Sequence, residues 1–237
     1  MAQDRHEASV HSVGPVQRRG PVFYASLPRD TGDPGVHGPN GEGARHRLVS
    51  ILWEHLLTTD CPWCTCHRST HRATAPLQVV RDPLGKPHLR VGEERGPAIS
   101  FSEAGGAVWA AVCGDASEIG IDVAETREFR GAYPLHRVFS APELQHAVTL
   151  TGGDVEGASA LLWSIKEAAV KALGCGFHRV EPRDLQVQPA VAEDGEHTLP
   201  VCLSSKALKR LSMPAGRSLW VRSLPQDKMW LSIAFLD

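Results

Sequence analysis

The sequence lacks an excess of charge of either sign, a long apolar run and an apolar leader. Lys and Arg number 25 and Asp and Glu 27, so the formal net charge is −2. This balance disfavours proteins that bind nucleic acid by neutralising phosphates, which need a clustered positive excess. No apolar stretch approaches the roughly 18 residues of a membrane span. The first residues also lack the apolar core of a secretory signal. We therefore expect a soluble, cytoplasmic protein that binds neither nucleic acid nor membranes.

What the sequence does contain is enough apolar material for a sizeable core. Hydrophobic residues make up 42% of its 237 residues, which suits one large domain or two small ones. Residues 1–44 are rich in Gly and Pro and are expected to be flexible or loosely ordered, with one edge strand at 22–27. Strands, a helical middle and further strands then indicate an α+β fold with antiparallel sheet.

Local patterns predict most of the elements. A capping box at Ser140 and Glu143 indicates a helix start, and Gly174 indicates a helix end. The predicted elements are helices over 45–57, 140–150 and 157–173, a short helix within 204–212, strands over 97–102, 107–113 and 118–125, and a C-terminal hairpin.

Two segments place charge beside an apolar face. Asp122 interrupts a strand, where Asp is disfavoured; the simple structural explanations are an ion pair with a nearby lysine and the capping of a turn. Trp163, Glu167 and Lys171 step by four and share one helix face, either as a surface pair or beside a cleft. Carboxylates suit Mg²⁺, which keeps waters and binds phosphates, and lysines suit a phosphorylated substrate. The residues themselves thus indicate a Mg²⁺-assisted transfer involving a phosphate ester.

Four motifs, taken together, resemble the 4′-phosphopantetheinyl transferase superfamily. They are Gly120-Ile121-Asp122-Val123, Phe139-Ser140-x-x-Glu143-Leu144, Trp163-Ser164-x-Lys166-Glu167-Ala168-x-x-Lys171 and Leu173-Gly174-x-Gly176. Upstream, GKP at 85–87 and PAISFS at 97–102 lie where that superfamily has related motifs. Order and spacing match the longer, monomeric type, which activates acyl, peptidyl and polyketide carrier proteins.

The resemblance implies both a fold and a reaction. The fold is a pseudo-duplication of two similar subdomains, over 45–115 and 116–237, with antiparallel sheets and packed helices. The second subdomain carries the metal-binding and catalytic motifs. In the reaction, coenzyme A gives its phosphopantetheine arm to a carrier serine, with Mg²⁺ or Mn²⁺, and 3′,5′-ADP is released. The alternatives are an inactive coenzyme-A-binding relative and a zinc-binding interaction or regulatory module.

The resemblance also implies roles for residues at the diphosphate. Asp122 and Glu167 would ligate the metal ion, and Glu167 would also act as general base on the carrier serine. Lys171 would contact the diphosphate and stabilise the departing phosphate, with help from Lys166. The superfamily often has a second acidic ligand two residues after the aspartate, where this chain has Ala124. Glu125 follows, but strand alternation directs it to the other face, so we expect water to fill the missing position.

At the nucleotide end the resemblance implies Lys86 and Ser102 as contacts for coenzyme A. Either Arg45 or Arg47 would contact a phosphate. Glu103 stands where the superfamily commonly has a histidine that helps hold the 3′-phosphate. A carboxylate there repels a phosphate unless it turns outward or pairs with an arginine.

Two further features lie outside these motifs. Arg127, Arg130 and Arg137 flank the helical region 130–150 and would attract an acidic carrier helix, although they could equally be a solvated surface. The segment CPWCTCH offers Cys61, Cys64, Cys66 and His67, with His71 beyond, as soft or borderline ligands. This spacing resembles a structural zinc knuckle, but incidental thiols are the favoured interpretation, and a redox role is a further alternative.

Overall fold

A computed structural model describes residues 8–13, 21–29, 41–59, 76–114, 118–131, 133–193, 196–213 and 219–236. They fall into two compact units. The first comprises described residues of Met1–Arg81 and Pro87–Ser117, and the second those of Asp82–Lys86 and Glu118–Asp237. The short turn 82–86 therefore belongs with the second unit although its flanking strands belong to the first. The duplication into two similar subdomains stays a prediction.

The first unit is a six-stranded antiparallel sheet with one helix. Its sheet order is β1-β2-β6-β5-β4-β3. Leu48, Leu52 and Leu56 recur on one face of the helix and are buried in the same core as Val108 and Ala110 of the sheet. The elements are β1 (His11–Val13), β2 (Val22–Pro28), α1 (Glu42–Thr58), β3 (Leu77–Arg81), β4 (Pro87–Val91), β5 (Glu94–Ala104) and β6 (Ala107–Cys113).

Strand β2 corrects the expectation for the N-terminal segment. Residues 1–44 were expected to be loose with an edge strand, but β2 lies between β1 and β6 and pairs with both. Phe23 and Ala25 of this strand are buried. Their burial and the two hydrogen-bonded neighbours make 22–28 an interior part of the sheet. Residues 1–7, 14–20 and 30–40 lie outside the described residues.

The second unit contains a six-stranded antiparallel sheet, in which five strands follow the order β7-β12-β11-β10-β8 and β9 pairs with β10. Its strands are β7 (Ile119–Glu125), β8 (Leu185–Val187), β9 (Val191–Glu193), β10 (Glu196–Leu203), β11 (Leu219–Gln226) and β12 (Met229–Leu236). Its helices are α2 (Leu135–Val138), α3 (Ala141–Leu150), α4 (Val155–Ala172) and α5 (Ser205–Leu211), with 3₁₀ turns at Thr126–Phe129 and Pro182–Asp184. The predicted α+β class with antiparallel sheets is confirmed.

The long helix α4 forms much of the core of this unit. Its apolar positions, among them Leu161, Leu162 and Ile165, are fully buried. The chain leaves it at Gly174, whose φ of 69° is a left-handed conformation that glycine adopts without strain. The predicted capping box starts α3: the backbone N–H of Ser140 donates to Glu143 Oε1 at 2.6 Å. Within the described residues, no helix is long and apolar enough to cross a membrane.

Candidate functional site

Helix α4 packs directly on strand β7 at Gly120. A Cβ atom at this position would lie 2.0 Å from the carbonyl oxygen of Ala168 and 2.5 Å from the nitrogen of Ala172. No side chain fits in that space, so glycine allows the helix backbone to approach the strand. Because alternate residues of a strand share a face, Asp122 is presented on the side of β7 that α4 covers.

Three of the predicted site residues come together where α4 covers β7. Lys171 Nζ lies 2.7 Å from Asp122 Oδ1 and 3.0 Å from the carbonyl oxygen of Ile121. Glu167 precedes Lys171 by one helical turn. Burial raises the pKa of Glu167, the negative charge of Asp122 raises it further, and Lys171 partly opposes both. The second unit therefore holds two interacting carboxylates and one ammonium in a single cluster.

This cluster fits a hard divalent cation. Its carboxylates supply oxygen, the donor that Mg²⁺ prefers, and their mutual repulsion is what a bound cation relieves. Within the described ranges no group of three or more His, Cys, Asp or Glu side chains is arranged around a common point. A cation held by Asp122 and Glu167 would therefore complete its coordination with water and substrate oxygens.

The position two residues after Asp122 supplies no further ligand. Ala124 is buried, and β7 pairs with β12 in unbroken register from Ile119 to Glu125. Glu125 Oε2 instead pairs with Arg127 Nε at 2.6 Å. Strand alternation therefore holds along β7, as the sequence indicated.

Lys166 is not part of the cluster, which corrects its assignment to the diphosphate. Its side chain is fully buried, and its ammonium donates to Glu143 Oε1 at 2.8 Å and to the carbonyl oxygens of Val138 at 3.0 Å and Pro182 at 2.9 Å. An ammonium has three protons to donate, so all of them are used within the protein. Burial lowers the pKa of Lys166, and the charge of Glu143 opposes this effect. Lys166 ties α4 to α3 rather than contacting a ligand.

Lys86 also has protein partners. Its ammonium pairs with Glu118 and donates to the carbonyl oxygen of Ala172 at 2.6 Å. Ala172 is the last residue of α4, where carbonyl groups lack partners within the helix. The turn that carries Lys86 is closed by Asp82 Oδ1, which accepts from the backbone N–H groups of Leu84 and Lys86. The structure thus places the GKP turn at the end of α4, with the lysine bound to that end.

The proposed nucleotide contact Ser102 and the neighbouring Glu103 belong to the first unit. Ser102 is buried in β5, opposite Trp109 of β6. Glu103 lies between two arginines, with Arg45 Nη2 at 2.7 Å and Arg29 Nη2 at 3.1 Å from its carboxylate. The carboxylate is therefore compensated by two guanidinium groups.

The two arginines that the sequence could not separate differ in their surroundings. Besides its pair with Glu103, the guanidinium of Arg45 lies 5.8 Å from the centre of the Phe101 ring. Arg47 is exposed. Arg45 is therefore the one whose guanidinium is held in place by its neighbours.

The arginines proposed for the carrier lie on the surface of the second unit. The side chains of Arg127 and Arg130 are 69% and 65% exposed, and Arg137 of α2 is also exposed. Arg130 Nε pairs with Glu156 Oε2 at 3.3 Å. Next in sequence to Glu156, Val155 is an exposed apolar side chain.

Three buried serines lie beside the cluster, and sequence patterns alone could not select them. Ser164 Oγ lies 2.7 Å from Ser232 Oγ, which lies 2.8 Å from Ser223 Oγ, and all three residues are fully buried. Ser232 is the cross-strand partner of Asp122. The available signal was a small polar residue in each of two largely apolar strands, a pattern too common to identify a site.

The cysteine cluster at 61–67 and His71 lie outside the described residues, and a zinc site there stays a prediction. Among the described residues, Cys113, Cys175 and Cys202 form no disulfide. Of these, Cys113 is buried and Cys202 is exposed.

Comparison with known proteins gives matches to one family. The family model described as the 4′-phosphopantetheinyl transferase superfamily matches residues 118–210. A holo-[acyl-carrier-protein] synthase of Verminephrobacter eiseniae (strain EF01-2) is 34% identical over 99 residues, which span 39% of this chain and 74% of that protein.

Solved structures give more distant matches. Helicobacter pylori holo-[acyl-carrier-protein] synthase in complex with coenzyme A matches with a TM-score of 0.39 and 17% identity, over 50% of this chain and 99% of the other. A coenzyme A complex of the enzyme from Chronobacterium ammoniagenes matches with a TM-score of 0.41 and 19% identity, over 50% of this chain and 95% of the other.

Proposed function

We propose a transferase function for this chain, which belongs to the 4′-phosphopantetheinyl transferase superfamily. In the proposed reaction, the phosphopantetheine arm of coenzyme A is transferred to a serine of an apo carrier protein, and 3′,5′-ADP is released. The observation that carries the proposal is the cluster of Asp122, Glu167 and Lys171, which combines two interacting carboxylates with an ammonium.

Each residue of the cluster has a proposed task. Asp122 and Glu167 would hold a magnesium ion, which supplies positive charge to polarise a diphosphate when it is bound. Lys171 supplies a second positive charge, and its side chain is 30% exposed, so a ligand can reach it. Together these groups would offset the charge that develops on the phosphate oxygens during transfer.

The transfer itself needs a base. The carrier serine oxygen would form a bond to the phosphorus that bears the pantetheine arm, and the bond from that phosphorus to the bridging oxygen would break. The bridging oxygen leaves with 3′,5′-ADP, and the serine proton passes to Glu167, directly or through water. The position of Glu167 supports this role because its carboxylate interacts with both Asp122 and Lys171, which places a proton acceptor inside the cluster.

For the nucleotide end of coenzyme A we retain Ser102 as the proposed contact, and Arg45 as the arginine to test beside it. Arg45 already compensates Glu103 at 2.7 Å. A phosphate approaching this guanidinium would therefore have to share it with a carboxylate, which distinguishes this chain from relatives with a histidine at that position.

The carrier would approach the second unit beside α2. Arg127, Arg130 and Arg137 are exposed there, and carriers with an acidic helix would be attracted to them. Charge reversal of Arg137 should raise the KM for the carrier without changing the KM for coenzyme A. An unchanged carrier KM would exclude this surface. A monomer in solution is also predicted, and sedimentation of the purified chain tests it.

The direct experiment is to incubate the protein with coenzyme A, Mg²⁺ and several apo carrier proteins, and to measure carrier mass. A gain of one phosphopantetheine supports the transferase. Glu167→Gln should abolish the gain, while Glu181→Gln, at an exposed glutamate paired with Lys206, should leave it unchanged. Binding of coenzyme A with no transfer to any carrier would favour the inactive relative.

A further inference from the structure

The three buried serines of the second unit form one directed chain of hydrogen bonds. The hydroxyl of Ser164 donates to the carbonyl oxygen of Leu161 at 2.9 Å. A serine hydroxyl has one proton to donate, so Ser164 can only accept from Ser232, and Ser232 can only accept from Ser223. This serine chain therefore runs from Ser223 of β11 through Ser232 of β12 to Ser164 and the backbone of α4.

Packing alone does not explain why the three positions of the serine chain are serine. The three residues lie among apolar side chains with no exposure to solvent, where alanine would fill much the same space and would bring no polar group to bury. Each hydroxyl is satisfied only while its neighbours keep their positions. Such a network fixes one arrangement of the elements that it joins.

The serine chain ends at Ser164, beside the proposed catalytic cluster. Ser164 precedes Glu167 by three residues and Lys171 by seven, and residues at these spacings share one face of a helix. On the sheet, Ser232 is directly opposite Asp122. One hydroxyl pair therefore joins the helix face that carries Glu167 and Lys171 to the strand that neighbours Asp122.

A second contact lies one turn further along α4, where Ala168 rests on Gly120. That contact limits how closely the helix approaches β7, while the ammonium of Lys166 ties another side of the helix to Glu143 of α3 at 2.8 Å. The hydrogen bond from Ser232 to Ser164 adds a directional contact between the helix and the sheet, and its 2.7 Å length tolerates little rotation of the helix about its axis.

We propose that Ser164 and Ser232 are positioning residues, whose hydrogen bond sets the rotation of α4 and thereby holds Glu167 and Lys171 against Asp122. The proposal rests on the proposed transferase function for its consequence in catalysis. Apart from catalysis, loss of this hydrogen bond should weaken metal binding, since two carboxylates bind one cation well only when their spacing is fixed.

The test compares Ser164→Ala and Ser232→Ala with two further variants. Ser159→Ala is the matched control: Ser159 is a fully buried serine of the same helix, but it donates only to Val155 of its own helix, at 2.7 Å. Ser232→Thr keeps the hydroxyl in a strand that accepts β-branched residues. For each protein, kcat, the KM for coenzyme A, the affinity for Mn²⁺ by water-proton relaxation and the melting temperature are measured.

We expect Ser164→Ala and Ser232→Ala to lower kcat and weaken Mn²⁺ binding about tenfold or more, with the KM for coenzyme A within threefold of the original. The double variant should be no worse than either single one, because both remove the same bond. Ser159→Ala and Ser232→Thr should retain at least half of kcat.

Two results would overturn the proposal. One is normal kcat and Mn²⁺ affinity in both alanine variants, and the other is an equal loss in Ser159→Ala. If an alanine variant does not fold while Ser232→Thr folds but lacks the original Mn²⁺ affinity, the hydroxyl is not the determinant and the proposal fails. If the original protein binds Mn²⁺ but transfers nothing, the proposed function fails while the metal-affinity comparison still decides the positioning.

Discussion

The ammonium of Lys171 lies 2.7 Å from Asp122 Oδ1. The lysine of the candidate site is therefore bound to one of the two proposed metal ligands. A substrate phosphate would share this ammonium with the carboxylate. Lys171→Met removes the positive charge at a similar side-chain length. Loss of one group that stabilises developing negative charge lowers kcat by about 10²- to 10³-fold, and we expect a loss of that size in a carrier-mass assay.

The control for this prediction is Lys206→Met. Lys206 is also paired with a carboxylate, Glu181 at 3.0 Å, but its side chain is 51% exposed. Its replacement should leave kcat unchanged. Activity within twofold of the original in Lys171→Met would remove Lys171 from the proposed mechanism.

Gly120 is expected to be the least replaceable residue of β7. A methyl group there would lie 2.0 Å from the carbonyl oxygen of Ala168, so Gly120→Ala must displace the helix or the strand. Overpacking of a core costs about 1–3 kcal/mol and occasionally more, and a clash with the α4 backbone at both Ala168 and Ala172 should give a cost of about 3 kcal/mol or above. Urea unfolding measures the change.

A glycine without such a contact is the comparison. Gly131 has a φ of 79° with nothing within 4 Å of its Cβ position, and asparagine tolerates this conformation. Gly131→Asn should therefore cost no more than about 1 kcal/mol. Equal losses in the two variants would contradict the importance of the close approach at Gly120.

Acid should reveal the contribution of Asp184. The hydrogen bond from Ser204 lowers the pKa of Asp184, burial opposes this, and the backbone N–H of Glu181 lowers it further. A carboxyl group whose pKa is lowered by folding stabilises the folded protein at pH values above its pKa in the unfolded chain, about 3.9. This stabilisation is lost as the pH falls through the lower pKa of the folded state. The Ser204 hydroxyl donates to Asp184 Oδ1 at 2.6 Å and accepts from Ala207 N as the N-cap of α5.

Ser204→Ala should therefore lower the free energy of unfolding at pH 7 by about 0.5–2 kcal/mol. The difference from the original protein should narrow below about pH 4, as Asp184 becomes protonated. Ser50→Ala, at an exposed serine of α1, should have an effect within about 0.5 kcal/mol at every pH. A difference that stays constant down to pH 2 would show that the cap alone accounts for the loss.

The buried pair of Lys166 and Glu143 should behave as a single unit. Their side chains are 0% and 3% exposed, and removal of one partner leaves a buried charge without compensation. Lys166→Met is therefore expected to cost about 3–5 kcal/mol. Adding Glu143→Gln should cost less than the sum of the two single changes, which a double-mutant cycle measures. Additive losses would contradict the coupling.

Sequence patterns could predict the parts of the fold that depend on neighbouring residues. Strand β6 has the bounds that its apolar run indicated, and the Ser140 capping box begins α3 as expected. Asp122 and Glu167 were selected because several motifs occurred together in one order. Strand β2 was underestimated because β1, which covers its outer side, has only three residues.

The roles of the two lysines within the α4 motif could not be predicted from the order of the motifs. Lys166 and Lys171 are five residues apart, which is a rotation of about 140° around a helix, so the two side chains point to different surroundings. Which of them is buried depends on how α2, α3 and the 3₁₀ turn at Pro182–Asp184 pack around α4. Similarly, Lys86 meets Ala172 across 86 residues of sequence, a contact that no local pattern can reveal.

Lys86 provides the last test, because the resemblance assigned it to the nucleotide while the structure binds its ammonium to Glu118 and the end of α4. If Lys86 acts by capping α4, Lys86→Met should lower the free energy of unfolding by about 1–3 kcal/mol and leave the affinity for 3′,5′-ADP within threefold of the original. Glu118→Gln should have a related effect, and the double variant should be less than additive because the two changes remove the same pair. Calorimetric titration with 3′,5′-ADP separates the two assignments: a loss of affinity of tenfold or more in Lys86→Met, with Glu118→Gln unaffected, would return Lys86 to the nucleotide site.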